Sequence, residues 1–118
     1  MAELQEPHRL ILTLCSADQP GLWFVIPHIK DFYRGDDTNA IRTKTLEVVK
    51  NLLKAELISA GQPAQDGRSF VPWTGVVDTA VERIRKEWDA LGHEPSIGDI
   101  VWFAATPAGN RLLAQLKG

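Results

Sequence analysis

The chain has 118 residues, 44% hydrophobic and 24% charged, with one cysteine and a net charge of −2. That length suffices for one domain with its own core, the lone Cys15 excludes an internal disulfide framework, and no run approaches the roughly 18 apolar residues of a bilayer span. Thirteen basic against fifteen acidic residues leave no global cationic footprint for nucleic acid, and Met1–Glu6 has no basic leader region, so the expectation is a single cytoplasmic domain over 1–118 with no membrane partner.

Pro7–Ala17 reads as a first helix, with Leu10, Ile11, Leu14 and Cys15 forming its apolar stripe. Asp18–Gly21 is turn chemistry, and Leu22–Val25 reads as a brief strand of β-formers. Pro27 is suited to begin a second helix with Ile29, Phe32 and Tyr33 inward, and Gly35–Asn39 breaks it. From about Ala40 to Glu56, Ile41, Thr45, Val48, Val49, Leu52 and Leu53 fall on one helical face, the strongest periodic signal in the chain. A strand over 57–61 follows, then a polar loop over 62–69 and a short extended piece, Phe70–Trp73, which Pro72 limits to a sheet edge.

Val77, Ala80, Val81, Ile84, Trp88 and Leu91 mark a further amphipathic helix from about residue 74 or 75 to Leu91, with Glu82 and Lys86 spaced i, i+4 on its outer side. Asp99–Ala105 reads as a buried strand. Thr106 then offers an N-cap and Pro107 a first helical position for a last short helix over 110–116.

That order, with Thr106-x-x-Gly109 opening the last helix, resembles the winged helix-turn-helix family over about residues 7–117, and the stretch from Phe70–Trp73 through Trp102 and Phe103 also resembles small bacterial proteins that carry no established activity to transfer. The resemblance implies an α/β, mostly helical fold. It would have a winged-helix-like three-helix core, a small antiparallel sheet, an extra helix inserted between the wing strands and a C-terminal helix. The expected core is Leu10, Ile11, Leu14, Ile29, Phe32, Val48, Val49, Leu52, Leu53, Ile58, Ile84, Trp88, Ile100, Trp102 and Leu112.

A catalytic set is hard to find. His8, His28 and His93 lie in separate elements without metal-ligand spacing, and no phosphate-binding loop or nucleophile elbow is present. Cys15 sits on an apolar stripe, where a thiol packs rather than reacts. Asp31, Asp36 and Asp37 precede a helix and read as caps, since acid–base work needs two carboxylates held in different environments. The expectation is therefore no enzyme, no metal and no cofactor.

Two binding readings remain. As a regulator, the chain would use helix 40–56 as the recognition helix that the resemblance implies. Asn39, Arg42, Thr43 and Lys44 lie near its start, Lys50 and Lys54 are placed for phosphates, and Arg68 in the loop is placed for the backbone or minor groove. As a protein-binding module, small and acidic in the manner of bacterial immunity proteins or antitoxins, it would occlude another protein, such as a toxin with a basic active site. Its contacts would be Asp31, Asp36, Asp37, Glu82, Asp89 and Glu94, with anchors among Trp23, Trp73, Trp88 and Trp102. The second reading is preferred. The two separate on whether the basic side of helix 40–56 stands clear of the inserted helix.

Overall fold

In a computed structural model describing residues 4–66, 69–96 and 98–117, the chain folds as five helices and one three-stranded antiparallel sheet, an α/β arrangement that is mostly helical. In chain order these are α1 (His8–Ala17), α2 (Leu22–Phe32), α3 (Thr38–Lys54), β1 (Ile58–Pro63), β2 (Phe70–Pro72), α4 (Val77–Leu91), β3 (Trp102–Ala105) and α5 (Pro107–Lys117). The sheet order is β2-β1-β3, with Ile58 opposite Ala105 and Gly61 opposite both Trp102 and Pro72. A Cβ at Gly61 would lie 2.2 Å from the Val71 carbonyl oxygen, so only glycine lets β2 approach this closely.

α3 forms as the periodicity requires. Ile41, Thr45, Val48, Val49, Leu52 and Leu53 are all buried, and the Thr45 hydroxyl donates to the Ile41 carbonyl at 2.8 Å. Asp37 is its N-cap, accepting from the Ala40 amide at 2.8 Å, so the helix starts at Thr38, two residues before the expected Ala40. It closes in a Schellman turn: Glu56 takes a left-handed φ of 59°, and the Glu56 and Leu57 amides donate to the Leu53 and Leu52 carbonyls.

The expected strand at Leu22–Val25 is instead the first turn of α2. Leu22, Val25, Ile26 and Ile29 recur at i, i+3, i+4 and i+7, so a helix buries all four on one face, whereas a strand would turn Leu22 and Val25 to opposite sides. Pro27 consequently lies inside α2 rather than at its start. The missing N–H costs about 3 kcal/mol, less than the roughly 1.5–3 kcal/mol that each of four buried aliphatic side chains contributes. Strand-like pairing is confined to Pro20–Leu22, where Gly21 bridges Trp102 and the Phe103 and Leu22 amides donate to the Pro20 and Val101 carbonyls.

One cluster of buried side chains draws on all five helices. Phe32, expected within it, is 48% exposed, while Leu10, Leu14, Ile100, Trp102 and Leu112 are only half-buried. The shift on α1 has a packing cause: α5 and β3 both cover this helix, which widens its buried arc to Leu12 beside Ile11 and Cys15. On β3, alternation turns Phe103 and Val101 inward and Trp102 to the other face. That face is covered from within the chain. Trp23 of α2 provides the cover, its ring meeting Trp102 edge-on at 4.9 Å.

β3 is also shorter than the expected Asp99–Ala105. Ile100 has φ 69°, and the Val101 amide donates back to the Asp99 carbonyl at 2.9 Å, a tight γ-turn that holds residues 99–101 out of the ladder. α5 has the expected start: the Thr106 hydroxyl accepts from the Gly109 amide and donates to the Glu56 carbonyl, tying α5 to the end of α3.

Candidate functional site

α4 is inserted between β2 and β3 and lies along α3, burying Ile84 and Trp88. Two of its acids reach cations of α3, and a third acid just past its end reaches α2. Asp78 pairs with Lys54 at 3.8 Å, Asp89 with Arg42, and Glu94 with Lys30 at 2.5 Å. Arg42 is held on three sides. Its Nη2 donates to the Arg85 carbonyl at 3.0 Å and to Asp89, and its guanidinium lies 5.1 Å from the Trp88 ring centroid.

Of the residues expected to meet DNA, Lys44 pairs with Asp36 and lies over Tyr33 at 4.0 Å, Asn39 and Thr43 are exposed, and Lys50 is half-buried. Arg68 lies outside the described residues. The basic residues of α3 thus do not form one free stripe: Arg42, Lys44 and Lys54 are each engaged within the chain.

The acids expected to meet a protein partner are similarly engaged. Asp36, Asp89 and Glu94 form the pairs just given, and Asp37 caps α3. Glu82 bonds Arg85, and that hydrogen bond holds its carboxyl below the usual range; the expected Glu82–Lys86 pairing gives way to Glu82–Arg85 and Arg83–Glu87. Among the described residues Asp31 is the member of that set with no ion pair or side-chain hydrogen bond, and it is exposed on α2.

All four tryptophans are occupied internally. Trp23 and Trp102 cover each other, Trp88 lies under Arg42, and the Arg83 guanidinium stacks over Trp73 at 3.8 Å. The aromatic surface lies elsewhere, on the outer face of α2. Phe24 and Phe32 are each 48% exposed and two helical turns apart, with His28 edge-on to Phe24 at 5.1 Å and Phe32 edge-on to Tyr33 at 4.8 Å. Reading Leu22–Val25 as a strand hid the outward placement of Phe24, which lies across the helix from Leu22, Val25, Ile26 and Ile29; Phe32 continues the spacing of Val25 and Ile29 and is exposed as the last residue of α2.

Below Arg42, the C-terminal half of α2, the first turn of α3 and the end of α4 enclose a cleft of about 310 Å³. Ile26, Ile41 and Trp88 form its apolar lining, and Lys30, Arg42, Asp89 and Glu94 its charged one.

The histidines and the cysteine do not converge. Burial lowers the pKa of His8, opposed by nearby Glu47, and its Nε2 lies 3.1 Å from the Asn51 amide nitrogen, which can only donate. Burial pushes the Cys15 thiol up to about 12, so it is no thiolate near neutrality. Among the described residues no three His, Cys, Asp or Glu side chains are grouped to hold a metal, and no helix is long and apolar enough to cross a membrane. The chain matches no family model, no curated protein and no solved structure.

Proposed function

We propose that this protein is a non-enzymatic protein-binding module of the immunity or antitoxin type, acting in the cytoplasm and docking a partner protein on the outer face of α2. The observation that carries the reading is the half-exposed pair Phe24 and Phe32, two turns apart on a helix that Leu22, Val25, Ile26 and Ile29 lock to the core. Large aromatic side chains left in water on a rigid element are what interface anchors look like before a partner arrives. Asp31, next to Phe32, is exposed and forms no ion pair among the described residues, which favours a basic partner surface and fast encounter.

A DNA-binding role for α3 draws less support. A recognition helix needs its cations free and its face open to a groove, whereas α4 lies on α3 and takes up Arg42 and Lys54. The winged-helix resemblance is retained as a proposal for the arrangement of α1–α3 and the sheet.

The test is affinity capture from lysate of the source organism with the wild-type chain and with Phe24→Ser/Phe32→Ser, which alters exposed positions and leaves the core intact. Anchoring aromatics cost about 2 kcal/mol each on truncation, roughly thirtyfold in affinity, so a specific partner should stay on the wild type and be lost from the variant. Identical captured sets on both baits, with the variant folded by circular dichroism, would overturn the assignment of the face. Salt-dependent binding of an arbitrary duplex by fluorescence anisotropy would return the role to α3.

A further inference from the structure

We propose that the cleft between α2, α3 and α4 is a binding site for a small zwitterion, an α-amino acid with a branched apolar side chain. This inference is independent of the docking face on α2. Its volume, about 310 Å³, falls at the small end of ligand sites, which are lined by apolar groups with a few convergent polar ones. The apolar part is Ile26, Ile41 and Trp88, all nearly inaccessible to solvent and held by the core.

The charged part decides the class of ligand. Lys30 and Arg42 come from α2 and α3, while Asp89 and Glu94 come from the end of α4 and the segment after it, so cations face acids across the opening. The four charges cancel. A simple anion or a simple cation would leave one charge uncompensated in the cleft, whereas a zwitterion adds one of each sign and keeps the balance.

Unused bonding capacity exists on both sides. Both hydrogen bonds of Arg42 use Nη2, which leaves Nε–H and Nη1 without a partner among the described residues, and the guanidinium is fixed by Trp88 and the Arg85 carbonyl. A fixed guanidinium with free N–H groups suits a carboxylate. Asp89 and Glu94 each spend one oxygen, Oδ1 and Oε1, and keep the other for an ammonium. A branched aliphatic side chain would then lie against Ile26, Ile41 and Trp88.

The test uses the full chain labelled with ¹⁵N and follows the Trp88 indole N–H, identified by its loss in Trp88→Phe. L-leucine, 4-methylpentanoate and 3-methylbutylamine are titrated; the last two keep the branched tail and one charge each. Leucine should shift the Trp88 signal saturably, with a dissociation constant on the order of 1 mM, and each half-ligand should bind about tenfold more weakly or worse. Glu94→Gln, at an exposed rim position, should weaken leucine binding without altering the other indole signals. Absence of a saturable Trp88 shift, equal affinity for all three probes, or leucine binding unaffected by both Glu94→Gln and Arg42→Lys would each overturn the proposal.

Discussion

Arg42 and Trp88 join α3 to the inserted helix: the guanidinium lies 5.1 Å from the indole centroid while its Nη2 donates to the Arg85 carbonyl one turn earlier on α4. Because this side chain is only 25% exposed, its contacts are less screened than those of the surface pairs around it. Asp89, its charged partner, is 56% exposed, and exposed pairs contribute little. Arg42→Lys should therefore destabilise by about 1–2 kcal/mol through the lost stacking and carbonyl bond. Asp89→Asn should cost about 0–1 kcal/mol. Urea midpoints at unchanged slope check the order, and equal effects would show that the ion pair dominates instead.

Gly109 tests packing against propensity. In a helix interior, alanine is favoured over glycine by about 1 kcal/mol. Here the added Cβ would lie 2.2 Å from the Leu57 carbonyl oxygen and 3.0 Å from Leu12 Cδ1, so α5 would have to move off α1 and the residue that precedes β1. Gly109→Ala should destabilise by about 2–3 kcal/mol net. A thermal midpoint at or above wild type would mean that the close approach is not held in solution.

Glu56 should respond in the opposite way. It occupies the left-handed position after α3 with φ 59°, and its backbone carbonyl, not its side chain, receives the Thr106 hydroxyl. Glycine relieves the Cβ strain and leaves that bond intact. Glu56→Gly should raise stability by about 0.5–1 kcal/mol, seen as a higher thermal midpoint.

His8 sets a pH dependence whose sign follows from burial. Desolvation disfavours the imidazolium, so the folded state holds this proton less tightly than the unfolded chain does. Below a pH of about 6.5 the unfolded state binds more protons, and stability falls as pH drops. His8→Gln should flatten the loss between pH 8 and pH 5, compared by urea midpoints. An unchanged slope would assign the effect to other groups.

Cys15 should be chemically silent in the native state. Its thiol is buried and raised to about 12, so an aromatic disulfide reagent at pH 8 should modify it only as fast as the protein unfolds. The raised pKa also means that its contribution to stability is present below about pH 9 and declines as pH rises toward 12. Rapid native labelling would place α1 in exchange with an open form.

The sequence by itself determined the elements whose signals are local and long. α3 could be read from five apolar residues and Thr45 recurring on one face over nearly four turns, and α5 from the cap chemistry of Thr106 and Pro107, because each signal is summed over neighbours in the chain. Leu22–Val25 failed for the same reason in reverse, since four β-forming residues are too few to reveal a helical period that only Ile26 and Ile29 complete.

Tertiary structure alone decided how the candidate sites are arranged. The pairs Lys30–Glu94, Arg42–Asp89 and Lys54–Asp78 join residues 24 to 64 positions apart, and no spacing along the chain announces them. They form because Ile84 and Trp88 need a hydrophobic surface, and the buried flank of α3 supplies it. Once α4 lies there, the charges at its edges fall opposite one another. That placement took Arg42 and Lys54 from a DNA-facing reading of α3 and buried Trp88 against it, while Phe24 and Phe32 stay exposed on α2.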